Sequence, residues 1–119
     1  PAVTDAEKVL RWMGYEEDLQ SGWWMKHGET HMRADDQQDG WSSPIDANWI
    51  TGTLIPALEE RLGCAKYGIQ HRKGQVIIVL DLPRKDSYDL GMDLVYGYGP
   101  TFEAAMISAA AKAVRSAER

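Results

Sequence analysis

The chain has 119 residues, 44% of them hydrophobic and 26% charged, which argues against a disordered chain and is enough for one core. No apolar run reaches the roughly 18 residues of a membrane-spanning helix. The opening Pro1-Ala2-Val3-Thr4-Asp5 lacks the basic and apolar segments of a signal peptide, so a single cytoplasmic domain over 1–119 is expected. The formal charge of −5 is uneven: residues 1–50 carry ten acidic side chains against four basic ones, and residues 51–119 carry eight against nine. A lone cysteine, Cys64, excludes an intrachain disulfide and a cysteine metal cage.

Thr4-Asp5-Ala6-Glu7 has the form of a capping box, with Glu7 reaching back to the Thr4 amide. Ala6, Val9, Leu10 and Met13 then share one helical face, which predicts a helix over 5–13 stopped by Gly14. Trp23-Trp24-Met25 and His31-Met32-Arg33 flank a polar, glycine-containing segment and predict a small hairpin within 22–33. Residues 34–44 read as a loop by composition, with Trp41 as its anchor. A turn or short helix follows around 46–50. Gly52 and Pro56 interrupt the pattern, so the main helix is expected to start with Thr53 as N-cap. It buries Leu54, Ile55, Leu58 and Leu62 and ends at Gly63. Segments 67–71 and 75–82 predict a hairpin about Arg72-Lys73-Gly74, 83–87 a polar turn, and 89–96 a third strand. Phe102, Met106, Ala109, Ala113 and Ala117 share one face of a closing helix, whose small side chains let it lie close to the sheet. The order α-β-β-α-β-β-β-α predicts an α+β fold. Its expected form is a compact α/β/α sandwich, with a mostly antiparallel sheet of three to five strands flanked by helices.

Candidate chemistry is sparse. His27-Gly28-Glu29-Thr30-His31 places two imidazoles and a carboxylate at alternate positions. It lacks the zinc-protease spacing, and Gly28 with Thr30 favours a solvated turn, so no metal and no cofactor is assigned. Ser42, Ser43 and Ser87 lack the strand-elbow-helix setting of a hydrolase nucleophile, and no enzymatic role is read from the chain. Tyr96-Gly97-Tyr98-Gly99-Pro100-Thr101 leads into a helix start, where free amides can receive an anion. Pro100 removes one donor, and Thr101 serves equally as a helix cap. Tyr98 and Thr101 are the candidate small-ligand turn. The α-β-β-β-α layout resembles double-stranded RNA-binding domains, but the last helix starts without lysine and the chain is acidic, which argues against nucleic acid. Five tryptophans and the acidic cluster carry the leading expectation, a binding surface of Trp24, Asp35, Asp36, Asp39 and Trp41 facing a protein partner.

Several segments lie in an order similar to that of a known family. They are Ala6-Glu7-Lys8-Val9-Leu10 with Trp12, Gly22-Trp23-Trp24, Trp41-Ser42-Ser43-Pro44-Ile45-Asp46, and Tyr98-Gly99-Pro100-Thr101 followed by Ala104-Ala105-Met106. Over most of its length the chain resembles the phage ABA-sandwich domains and the similar NinX-like phage proteins. The resemblance implies an α/β/α sandwich, a phage or prophage origin and no established activity, so it carries no catalytic residue across. Trp41, Pro44, Asp46, Pro100 and Thr101 match the family's pattern as fold determinants, Asp46 as a helix cap and Pro100-Thr101 as a helix start. The expected role is a phage accessory protein that binds a host or phage macromolecule in the host cytoplasm. The alternative is sequestration of a small nucleotide-like ligand at Tyr98 and Thr101.

Overall fold

The computed structural model describes residues 3–35, 40, 42–64, 66–83 and 92–117. Helix α1 (Asp5–Trp12) begins at Thr4, whose hydroxyl accepts the Glu7 amide at 3.2 Å. The Glu7 carboxylate accepts from that hydroxyl rather than from the Thr4 amide, so the box closes through the two side chains. Val9 and Leu10 are fully buried, each contributing about 1.5–3 kcal/mol by leaving water. Gly14 takes up the left-handed conformation that ends the helix, with φ +97°.

Four short strands follow, β1 (Glu16–Glu17), β2 (Trp23–Met25), β3 (Met32–Arg33) and β4 (Ser43–Pro44), adjacent in that order. The expected hairpin is β2–β3, registered Trp23↔Arg33 and Trp24↔Met32. β4 departs from the loop that composition predicts. It runs parallel to β3, and the Ser43 amide donates to the His31 carbonyl at 2.8 Å. Pro44, which has no donor to offer, sits on the outermost strand of this sheet.

Asp46 caps α2 (Ala47–Trp49), its carboxylate accepting the Trp49 amide at 2.9 Å. The chain does not break at Gly52. A π-helical turn (Ile50–Leu54) runs directly into α3 (Ile55–Leu62), and the Ile55 amide reaches five residues back to the Ile50 carbonyl. Pro56 has no N–H, and in a regular helix its ring presses on the carbonyl four residues earlier. The wider turn opens that space and keeps the helix continuous. The start expected at Thr53 is therefore corrected: Thr53 lies inside the π turn, and Asp46 is the cap. Gly63 ends α3 in the left-handed conformation, φ +71°.

The second sheet is antiparallel and ordered β5 (Lys66–Arg72), β6 (Gln75–Pro83), β7 (Met92–Gly99). Lys73 and Gly74, with φ 45° and 79°, form the two-residue type I′ turn joining β5 to β6. β7 runs beyond residue 96 to Gly99, which pairs with Val76. Residues 84–91, where most of the polar turn and the start of this strand were expected, lie outside the described residues.

Helix α4 (Phe102–Ala117) starts at Thr101, whose hydroxyl accepts the Ala104 amide at 3.1 Å. It is the middle layer of the molecule. Ala105, Met106, Ile107, Ala109, Ala110, Ala111, Ala113 and Val114 are buried, covering most of its circumference. One side lies on β6 and β7, and the other meets α1 and α3. The α+β content and the mostly antiparallel strands match the sequence expectation, and the element order matches it roughly, with β1 and β4 added to the two strands expected before the second helix. The strands are divided between two sheets, of four and three. Among the described residues no helix is long and apolar enough to cross a membrane.

Glycine sets how close α4 can come. A Cβ at Gly97 would stand 2.6 Å from the Ala109 Cβ and nearer still to helix backbone; at Gly99 it would stand 2.7 Å from the Ala104 Cβ. Gly97→Ala is therefore expected to push α4 off β7 and cost about 3 kcal/mol. Gly68→Ala in the same sheet meets no atom within 4 Å and is expected to change stability by less than about 0.5 kcal/mol. Urea unfolding of the two variants checks the pair, and equal effects contradict the close-packing account.

Candidate interaction surface

The described residues among those that the sequence nominates do not converge on one site. Trp24 is 2% exposed and lies in the core, with the Arg11 guanidinium 5.4 Å from its ring. It presents no face to a partner, which corrects its place in the expected surface. Alternation along β2 separates the two adjacent tryptophans: Trp23 is half-buried, its ring 5.0 Å from that of His31. Asp35 gives both carboxylate oxygens to Arg33, at 2.8 and 3.0 Å. Arg33 is 7% exposed, so Asp35 acts as the counter-ion of a buried cation. Asp36, Asp39 and Trp41 lie outside the described residues.

The hydroxyl of Thr101 serves the α4 cap, while the Tyr98 ring is exposed with the Lys112 ammonium 5.1 Å from its centroid. His27, Glu29 and His31 line an open groove with Glu16, Glu17 and Asp18. Among the described residues no group of three His, Cys, Asp or Glu side chains is placed to hold a metal ion. The Ser21 hydroxyl, and after it the Gln20 amide, hold the Asp18 carboxyl below its ordinary value. Burial pushes the Cys64 thiol up, away from the reactive thiolate.

The feature that sequence reading missed is the far side of the three-stranded sheet. Paired residues of an antiparallel ladder point the same way. Val76 with Gly99, Ile78 with Gly97 and Leu80 with Val95 therefore face α4, while Ile77 with Tyr98, Val79 with Tyr96 and Asp81 with Leu94 face away. On that outward face Leu94, Tyr96 and Tyr98 are 51%, 41% and 47% exposed. Tyr67 and Ile69, paired with Leu80 and Ile78, are exposed on the other face of β5, whose seven residues all lie open to solvent. Five of the eight exposed large hydrophobic side chains among the described residues thus belong to one sheet. The signal was present in the alternation of Leu94, Tyr96 and Tyr98 with Val95, Gly97 and Gly99. Once glycine meets the helix, the aromatic positions must turn outward.

The two edges of this sheet differ. A two-residue turn makes Arg72 and Gln75 a mutually hydrogen-bonded pair, and alternation then pairs Gln70 with Ile77, Gly68 with Val79 and Lys66 with Asp81 in the same way. The backbone groups of Tyr67, Ile69 and His71 are left pointing off the sheet. On β7 the same alternation turns those of Tyr96 and Tyr98 outward, where α4 meets them. Ser108 accepts the Tyr98 amide at 3.4 Å, and Lys112 donates to the Tyr96 carbonyl at 2.8 Å. The β5 edge has no such cover among the described residues.

A separate groove of about 320 Å³ runs between α1 and the end of α4, lined by Val3, Lys8, Arg11, Trp12, Ala111, Val114 and Arg115. Its three cations meet no carboxylate among the described lining residues, and Arg61 stacks 3.9 Å from the Trp12 ring centroid. Such a groove can hold an anion with a flat apolar body.

Comparison with protein-family models, curated proteins and solved structures returns no match. Asp35→Ala is expected to cost about 2 kcal/mol by removing the bidentate partner of the buried Arg33. Urea unfolding checks this, and a change below about 0.5 kcal/mol shows that Arg33 does not depend on Asp35.

Proposed function

We propose that this is a non-catalytic binding protein that docks a protein partner on the outward face of β5–β6–β7. The observation that carries the reading is the gathering of Leu94, Tyr96 and Tyr98 on one face, in register with Ile77 and Val79. Scattered apolar residues are normal on a surface, whereas a contiguous patch marks a contact site. Tyrosine suits that role because it offers a broad apolar ring and one hydroxyl while freezing few rotatable bonds. The resemblance to phage accessory proteins directs the search for the partner to phage and host proteins. A second reading, small-ligand binding, is favoured by the cationic groove of Lys8, Arg11 and Arg115 beside Trp12.

Native mass spectrometry of the tagged chain recovered from a phage-carrying host tests both readings. The unmodified chain is expected to retain a protein partner that the double variant Leu94→Ser, Tyr96→Ser loses. The melting temperature of that variant should stay within about 3 °C, because both positions are exposed. Unchanged partner retention in the variant contradicts the sheet-face reading. A small added mass that disappears on Lys8→Ala with Arg115→Ala supports the groove in its place.

A further inference from the structure

Building on the sheet-face reading, we propose that the β5 edge accepts, by strand addition, an extended segment of the partner in which acidic and apolar residues alternate. β5 pairs with β6 in unbroken register from Lys66↔Asp81 to Arg72↔Gln75, without proline or bulge, so its ladder can extend to another strand. The outward amides and carbonyls of Tyr67, Ile69 and His71 are the hydrogen-bonding groups that an added strand would take. The opposite edge, on β7, is closed by Ser108 and Lys112, which leaves β5 as the pairing edge of this sheet.

Side-chain alternation gives the partner its chemistry. Tyr67 and Ile69 lie on one side of β5, and Lys66, Gly68, Gln70 and Arg72 on the other. Residues of the added strand beside Tyr67 and Ile69 are therefore apolar, and those beside Lys66 and Arg72 acidic. Lys73 in the adjoining turn adds a third cation, in a chain whose net charge is −5. Lys66 makes a long, exposed ion pair with Asp81 at 3.9 Å, while Arg72 and Lys73 have no carboxylate partner among the described residues. A second copy of this chain is the poorer occupant. Antiparallel pairing of two β5 strands about Ile69 sets Lys66 against Arg72 at both ends, and like charges directly opposite are destabilising.

The test is an amide-resolved NMR titration of the full chain with a synthetic peptide, about nine residues long, of alternating valine and glutamate. A valine–lysine counterpart is the control. Shifts and slowed exchange are expected at Tyr67, Ile69 and His71, with the lysine peptide at least about tenfold weaker. Ile69→Pro removes an outward donor without breaking a bond to β6 and should abolish the effect. Should that variant not fold, Arg72→Glu with Lys73→Glu decides instead by reversing the charge preference. Shifts confined to Leu94, Tyr96 and Tyr98 overturn the edge proposal and leave the sheet-face reading standing. Equal binding of both peptides, or no shift at all, overturns it outright. Concentration-dependent shifts on β5 without peptide make the occupant a second copy and overturn it as well.

Discussion

Where β7 lies against α4, glycine on the strand meets alanine on the helix, and the two backbones come closer than larger side chains allow. At Gly97 even a methyl group collides with helix backbone, so the distance is set by the main chains themselves. This contact lets α4 act as a shared wall. One side rests on β6 and β7, and the other receives α1 and α3, whose Val9, Leu10 and Leu58 complete the core. An amphipathic helix could not serve two layers. The run of buried alanines, with Met106, Ile107 and Val114, makes α4 apolar nearly all round.

The open surface follows from the same contact. Strand alternation has a period of two, so seating Gly97 and Gly99 on the helix sends Tyr96 and Tyr98 to the other side. Width supplies the rest. A helix with its side chains is roughly 10 Å across and strands lie about 4.8 Å apart, so one helix covers about two strands. α4 covers β6 and β7 and also satisfies the outward edge of β7 through Ser108 and Lys112. β5 falls beyond its reach, and all seven of its residues stay exposed. An apolar face and a basic edge left uncovered by the described residues therefore adjoin in one small sheet, and the proposed binding role rests on that juxtaposition.

Local chemistry was legible in the sequence wherever one residue type dictates geometry. Thr4 and Thr101 act as caps, Gly14 and Gly63 end helices, and Lys73-Gly74 makes the hairpin turn, all as their local sequence indicates. Asp46 likewise caps the helix where expected. The features that escaped are those decided by tertiary context. Pro56 reads as a helix-start residue until the π turn absorbs its missing donor. Trp24 reads as an exposed contact residue, because alternation says that one of Trp23 and Trp24 goes inside without saying which. Asp35 reads as part of an acidic surface, since its bidentate hold on Arg33 depends on how β3 enters the core. The exposed face of the sheet was written in the alternation of Tyr96, Gly97, Tyr98 and Gly99. Without knowing which layer the helix occupies, those glycines read as the shapers of a turn.

The most direct test of this account is a proton NOE spectrum of the protein in solution, read at β7. Central placement of α4 predicts strong cross-peaks between the Gly97 α-protons and the Ala109 methyl, with the Tyr96 ring showing none to the core methyls of Leu10, Leu58 or Ala110. Cross-peaks from the Tyr96 ring to those methyls, with the Gly97–Ala109 signal missing, would contradict it.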